Sequence, residues 1–332
     1  MGCASVRQCI FSTKFLLTLF LMSAIPIGVI ISLERVSPST HVYQYHSNSW
    51  FRECAAWDHP NRRFIVSYLE GGLGVLNLGD DSEDGVLVEK TVVKDDDLAG
   101  NATVGVHIDH SRNRLLVTVG DMRNNHYSGL ASYDLTSWTR LFLAHLSGPD
   151  DEKSFADDLA VDEDGNAYVT DVKASKIWKV NAEGKLTSVI RSPLFSFKAW
   201  YKNLVGLNGI VYHPDGYLLV IHTFSGTLYK IDIKKGDQAI KLVKIVTGSL
   251  VLGDGMVLLS PTKIVVAGNP SGRLLESTDG WETASVVSKF WGPMHRIATS
   301  ATVKDGKVYL SHMLGLGYPK RKHVIVEANF KK

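Results

Sequence analysis

After about Tyr43 an apolar strand, a polar turn and a second strand rich in β-branched residues recur six times, and this repeat confines the chain to a ring or stack of similar β-units. The clearest copies are 159–170 (LAVDEDGNAYVT) and 210–220 (IVYHPDGYLLV), each of which reads as a β-hairpin. The turns fall at residues 60, 111, 164, 215, 261 and 305, so successive spacings are 51, 53, 51, 46 and 44 residues. Four-stranded propeller blades recur at roughly 40–50 residues. Helical repeats are excluded because the segments are short, β-branched and broken by Gly and Asp, with no sustained 3.6-residue period. The expected architecture is all-β: a six-bladed β-propeller over residues 43–332, its innermost strands surrounding one channel.

If the turns are equivalent positions, the residue seven places before each sits near the start of an innermost strand. Those residues are Glu53, Val104, Asp157, Asn208, Asp254 and Ala298. Four of the six carry oxygen ligands, and burying them unpaired in a narrow channel costs several kcal/mol. A hard divalent cation such as Ca²⁺ supplies the pairing, since calcium takes six to eight oxygen ligands. Taken singly, each acid has a structural alternative: turn capping for the aspartates, a tight turn at Asn208-Gly209, and an arginine partner for Glu53. Their shared register is what those alternatives do not explain.

Other chemistries lack their motifs. No Cys-x-x-Cys or His-Glu-x-x-His zinc pattern is present, nor a Gly-x-Ser-x-Gly nucleophile elbow, and Gly72-Leu73-Gly74 is continued by Asn77 where a dinucleotide loop needs Gly. A net charge of +2 with interspersed signs gives no reason to expect a nucleic-acid partner. Cys54 is the one cysteine after the N-terminal segment, so no disulfide framework forms there.

Residues 15–33 form an uncharged apolar stretch, at the short end of what spans a bilayer and without a good small-x-small cleavage site. It reads as a signal anchor, with a cleaved signal peptide as the alternative. Arg7 and Lys14 place residues 1–14 in the cytosol and the rest in the lumen or outside, on the secretory pathway. Val6 stands where a myristoylation start needs Ser or Thr. Asn101-Ala102-Thr103 fits a glycosylation sequon.

From Trp50 onward the chain resembles the superfamily of gluconolactonase, regucalcin (senescence marker protein) and diisopropyl-fluorophosphatase, including its plant calcium-dependent phosphotriesterase-like members. The resemblance is carried by Arg52-Glu53, Phe155-Ala156-Asp157-Asp158, Leu207-Asn208-Gly209-Ile210 and Gly253-Asp254-Gly255-Met256. It implies a six-bladed propeller with calcium held by Glu53, Asp157, Asn208 and Asp254, and hydrolysis of a lactone, ester or phosphoester. Asp157 stands where that family usually has Asn, and Val257 where fluorophosphatase-like members have a further Asp. His295 is a candidate for the histidine some members use, although its offset departs from the ligand register.

The expected mechanism has calcium polarising a carbonyl or phosphoryl oxygen of a small-molecule substrate, Asp158 orienting water, and Asp254 or Asp157 acting as base or nucleophile. Two other functions fit the same repeat: a non-catalytic binding propeller with structural calcium, and a strictosidine-synthase-like biosynthetic enzyme. The aromatic segment 193–201 either overhangs the channel as a lid or packs between blades. Oligomeric state leaves no mark on the sequence.

Overall fold

The computed structural model describes residues 13–33, 40–79, 86–234 and 240–330. Residues 1–12, most of the expected cytosolic terminus, lie outside that set. Residues Thr13–Leu33 form one α-helix, α1, with Pro26 inside it. Among the described residues no helix is long and apolar enough to cross a membrane.

Among the described residues twenty-four strands follow, β1 to β24 in chain order. They hydrogen-bond as four-stranded antiparallel units, each led by an inner strand: β2 (Arg52–Asp58), β6 (Ala102–Asp109), β10 (Ala156–Val161), β14 (Leu207–His213), β18 (Gly253–Ser260) and β22 (Ala298–Lys304). Two parallel edge pairings, β1 (Val42–Ser47) with β5 (Val86–Val93) and β17 (Ile240–Thr247) with β21 (Thr283–Phe290), join neighbouring units, so the sheets number four. The last unit is completed from the other end of the chain: β1 pairs with β24 (Arg321–Glu327) through six residues. Each inner strand contacts the next, and β22 returns to β2. The result is a propeller-like fold around a central channel.

The core lies between units, because the second strand of each is buried on both faces and alternates its side chains between two neighbours. In β7 (Arg114–Gly120), Leu115, Val117 and Val119 pack with Ile65 and Val75 of the preceding unit, while Leu116 packs with Val169 and Trp178 of the following one. The same layering closes the ring where Tyr309 and Ile325 meet Phe64 and Val66. The hairpins form where the sequence signals them. Gly165 takes φ +85°, its N–H donates to the Asp162 carbonyl at 3.0 Å, and Asp162 Oδ1 accepts from Asn166 N–H at 2.8 Å.

Every inner strand breaks register with its second strand near its start, between Arg52 and Ala55, Thr103 and Val106, Ala156 and Leu159, Leu207 and Ile210, Gly253 and Met256, and Ala298 and Ser300. Such bulges unpair a residue and re-aim its side chain. Hydroxyls on the second strands take up amides freed in this way: Ser67 accepts from Cys54 N–H at 3.0 Å, Thr118 from Gly105 N–H at 2.8 Å, and Thr170 from Asp158 N–H at 3.1 Å. Thr118 also donates to the Asp157 carbonyl. Thr118→Val therefore strands two buried backbone groups, and urea unfolding should register a loss of about 2–4 kcal/mol.

Candidate active site in the channel

The register breaks bring the sequence-predicted residues together. Glu53, Asp157, Asn208 and Asp254 each occupy the bulge of their own inner strand, with Val104 at the equivalent place in β6. In β22 the slip spans Ala298 to Ser300, so the bulged residue is Thr299 rather than the Ala298 that counting from the turn indicates. Thr299 is 4% exposed and its hydroxyl donates to the Glu53 carbonyl, tying the last unit to the first.

Small residues beside the bulges let the inner strands meet backbone to backbone. A Cβ on Gly209 would lie 2.2 Å from the Asp254 carbonyl oxygen, one on Gly105 2.5 Å from that of Asp157, and one on Gly255 2.6 Å from that of Thr299. Asp158 breaks this pattern. Its carboxylate accepts from Leu159 N–H at 2.8 Å and from Ile210 N–H of the neighbouring unit at 3.4 Å, so it bridges two inner strands.

The four acids crowd one another electrically. Burial raises the Glu53 carboxyl well above the usual range, and Asp157, Asp254 and Asp158 raise it further. Asp157 is raised by burial, then by Asp254, Asp158 and Asp171. Asp158 is pushed up to about 7 by burial, against the opposing pull of its two backbone hydrogen bonds. Asp254 is pushed up to about 7 by burial and by Asp158, while a hydrogen bond from the Asn208 side chain and one from Gly255 N–H pull it down. Asp157 and Asn208 are buried, whereas Glu53, Asp158 and Asp254 keep a thin solvent-accessible edge despite the protein packed around their carboxylates. Among the described residues no three His, Cys, Asp or Glu side chains form a ready-made metal cage.

Asp171, at the end of β11 (Ala167–Asp171), belongs to this group and escapes the sequence reading. It is fully buried, accepts from the N–H groups of Phe155, Lys173 and Ala174, and lies 3.6 Å from Lys176 Nζ. The available signal is its place one residue beyond Thr170, at the end of the second strand of the clearest hairpin copy.

On the hairpin side of the acids the channel widens into a cavity of about 380 Å³ walled by all six inner strands. Asp158 lines it together with Trp57, His107, Tyr212 and Met256, and His110 also borders it. Burial drives His107 down to about 4, so it stays neutral in this cavity. His295 is half-buried on the short turn Met294–Arg296 that leads into β22.

The aromatic segment packs between units over part of its length. Phe195 is fully buried against Tyr229, with ring centroids 5.1 Å apart, and Phe197 packs on His222 at 5.0 Å, while Trp200 and Tyr201 stand exposed. Asn101 is half-buried in the turn before β6.

Fold and channel together define a propeller-type protein with an acid-lined axis. No protein-family model and no curated protein sequence matches the chain. Among solved structures, the chain resembles the major allergen Mala s 1 of Malassezia sympodialis with a TM-score of 0.68 and 17% identity, covering 90% of this chain and 98% of that one. It also resembles a luciferin-regenerating enzyme, with a TM-score of 0.56 and 13% identity over 85% and 92% of the two chains. A virginiamycin B lyase from Staphylococcus aureus gives a TM-score of 0.54 and 10% identity over 87% and 100%. At these identities the likeness is one of fold.

Proposed function

We propose that the chain is a six-bladed propeller hydrolase of a lactone, ester or phosphoester, with Glu53, Asp157, Asn208 and Asp254 holding calcium or another hard divalent cation. One observation carries this reading: four acids from three inner strands lie deep in one channel, where burial raises all four and acidic neighbours raise Glu53, Asp157 and Asp254 further. Like charges so placed demand either protons or a cation. The donors are all oxygen, which suits calcium or magnesium rather than zinc.

A bound cation supplies Lewis-acid polarisation of the substrate oxygen. Asp158 does the rest of the proton work: poised near neutral pH, clamped by two backbone N–H groups and facing the cavity, it exchanges a proton with a water beside the substrate. The aliphatic and aromatic cavity wall accepts the substrate's organic part. The two enzymes among the structural likenesses, a lyase and a luciferin-regenerating enzyme, lend support by showing this fold in catalytic use. The same proposal makes α1 a membrane anchor on the secretory pathway and Asn101 a glycosylation site.

The test is a panel of lactones, carboxylic esters and phosphoesters assayed with calcium and with chelator. Turnover should require the cation, and Asp254→Asn should lower it by about 10²–10³-fold. Full turnover in Asp254→Asn would sink the assignment.

A second reading rests on the same cavity. Its mixed polar and apolar walls also suit a non-catalytic binding propeller with structural calcium. That protein would take up small organic ligands without turning them over.

A further inference from the structure

Strand direction divides the loops into two sets. The hairpin turns after the inner strands lie on one face, the hairpin face. The connections leading into the inner strands, and the loops between second and third strands, lie on the other, the mouth face. Every exposed aromatic side chain recorded for the propeller stands on the mouth face: Trp50, Phe51, Trp200, Tyr201, Trp291 and Tyr318. Val251 and Leu252, also exposed, join them from the connection before β18. Among the described residues the hairpin face exposes Leu259 and no Trp, Tyr or Phe.

These residues are not spread evenly. They occupy the connections into β14, β18, β22 and β2 and the loop before β24, a continuous arc of the ring. Lys198 and Lys202 flank Trp200 and Tyr201, and Lys320, Arg321 and Lys322 follow Tyr318, with the Arg321 guanidinium 4.0 Å from the Trp50 ring centre. The remaining arc is net acidic: Asp96 and Asp97 beside Lys94 before β6, and Asp150, Asp151 and Glu152 beside Lys153 before β10, all exposed. Helix α1, whose Phe20, Met22 and Ile25 are each more than 60% exposed, rests against Met294–Arg296 in the middle of the aromatic arc.

We propose that the aromatic arc of the mouth face lies on a lipid bilayer, tilted so that the acidic arc lifts away and the cavity on the hairpin side stays open to water. Tryptophan and tyrosine rings flanked by lysine and arginine are the side chains that settle at a membrane interface. An apolar helix touching the same arc brings that surface to the lipid. The geometry does not depend on a cation in the channel.

Lipid-borne quenching tests this on the full chain. Of the seven tryptophans, Trp50, Trp200 and Trp291 are the three exposed on the mouth face. Vesicles of phosphatidylcholine and phosphatidylserine with brominated acyl chains should remove most of the emission from these three, relative to unbrominated vesicles. Trp50→Ser, Trp200→Ser and Trp291→Ser combined should abolish the effect. Leu141→Trp, on the outer strand β9 (Arg140–Ser147), should add emission that bromine does not quench. Protein that sediments with vesicles yet shows no quenching would overturn the proposal, because α1 would then hold a propeller that stands clear of the lipid. A stable dimer that shields the three tryptophans from aqueous acrylamide without lipid would also overturn it, since a second copy would be the occupant.

Discussion

With calcium chelated, the melting temperature should fall as pH rises from 6.5 to 8.5, by about 5–10 °C for a domain of this size. Asp158 and Asp254 bind protons in the folded state up to about pH 7, against an ordinary value of 3.8, and Glu53 and Asp157 are raised as well. A carboxyl raised in this way makes the folded state bind more protons than the unfolded one. Its contribution is complete below the unfolded value and is lost as pH climbs through the folded one. For Asp158 alone the whole loss is roughly 4 kcal/mol, most of it below pH 7; in the window above 6.5 Asp254 loses a similar share, and Glu53 and Asp157, raised in the same direction, add to it.

The window matters because buried histidines act with the opposite sign. Burial drives His107, His222 and His323 each to about 4, so protonating the unfolded chain below about pH 6.5 destabilises the fold. At 6.5 these histidines are half neutral in the unfolded chain and fully neutral in the folded one, so above it they offset only a small part of the acids' loss and above about 7.5 the acids act nearly alone. Saturating calcium should reverse the trend, because a cation binds the ionised acids of the folded state and stabilises by about 4 kcal/mol at a thousand times its dissociation constant. Asn208→Ala and Asp254→Ala should lose the calcium response. A chelated protein whose melting temperature is flat or rising between pH 6.5 and 8.5 would show the acids already ionised and paired, and the cation proposal would fail.

The hairpins were legible because turn chemistry is local: Asp162 to Gly165 and His213 to Gly216 carry their own signals, and counting back from them finds Glu53, Asp157, Asn208 and Asp254. The count fails at the sixth position because the slip in β22 spans two residues where the others span three, which moves the bulge to Thr299. A bulge is a relation between two strands and leaves no residue signature on either. The same reason hides the bridging role of Asp158, which depends on Ile210 from the next unit, and the ring closure by β1, whose partner β24 is almost the whole chain away. The aromatic arc was invisible for a different reason. Trp50, Trp200 and Trp291 are far apart in sequence, and only the alternating strand direction puts them on one face.

Gly209→Ala should be among the most damaging single methyl groups in the protein, costing about 3–5 kcal/mol in urea unfolding, at or beyond the upper end for overpacked cores. The new Cβ would stand 2.2 Å from the Asp254 carbonyl oxygen and 2.9 Å from the Met256 side chain. The carbonyl is backbone in the middle of the next inner strand and has no rotamer through which to escape. Relief requires β14 and β18 to part, and that movement separates Asn208 from Asp254, the pair joined by a side-chain hydrogen bond. Stability and the channel site should therefore fail together, with the calcium response weakened even in protein that remains folded. Gly148→Ala is the control. Its Cβ would meet nothing within 4 Å and its backbone is not in the left-handed region, so the change should stay within about 0.5 kcal/mol. Equal small effects at both positions would mean that the inner strands do not meet backbone to backbone, and the convergence of the four acids would lose its structural basis.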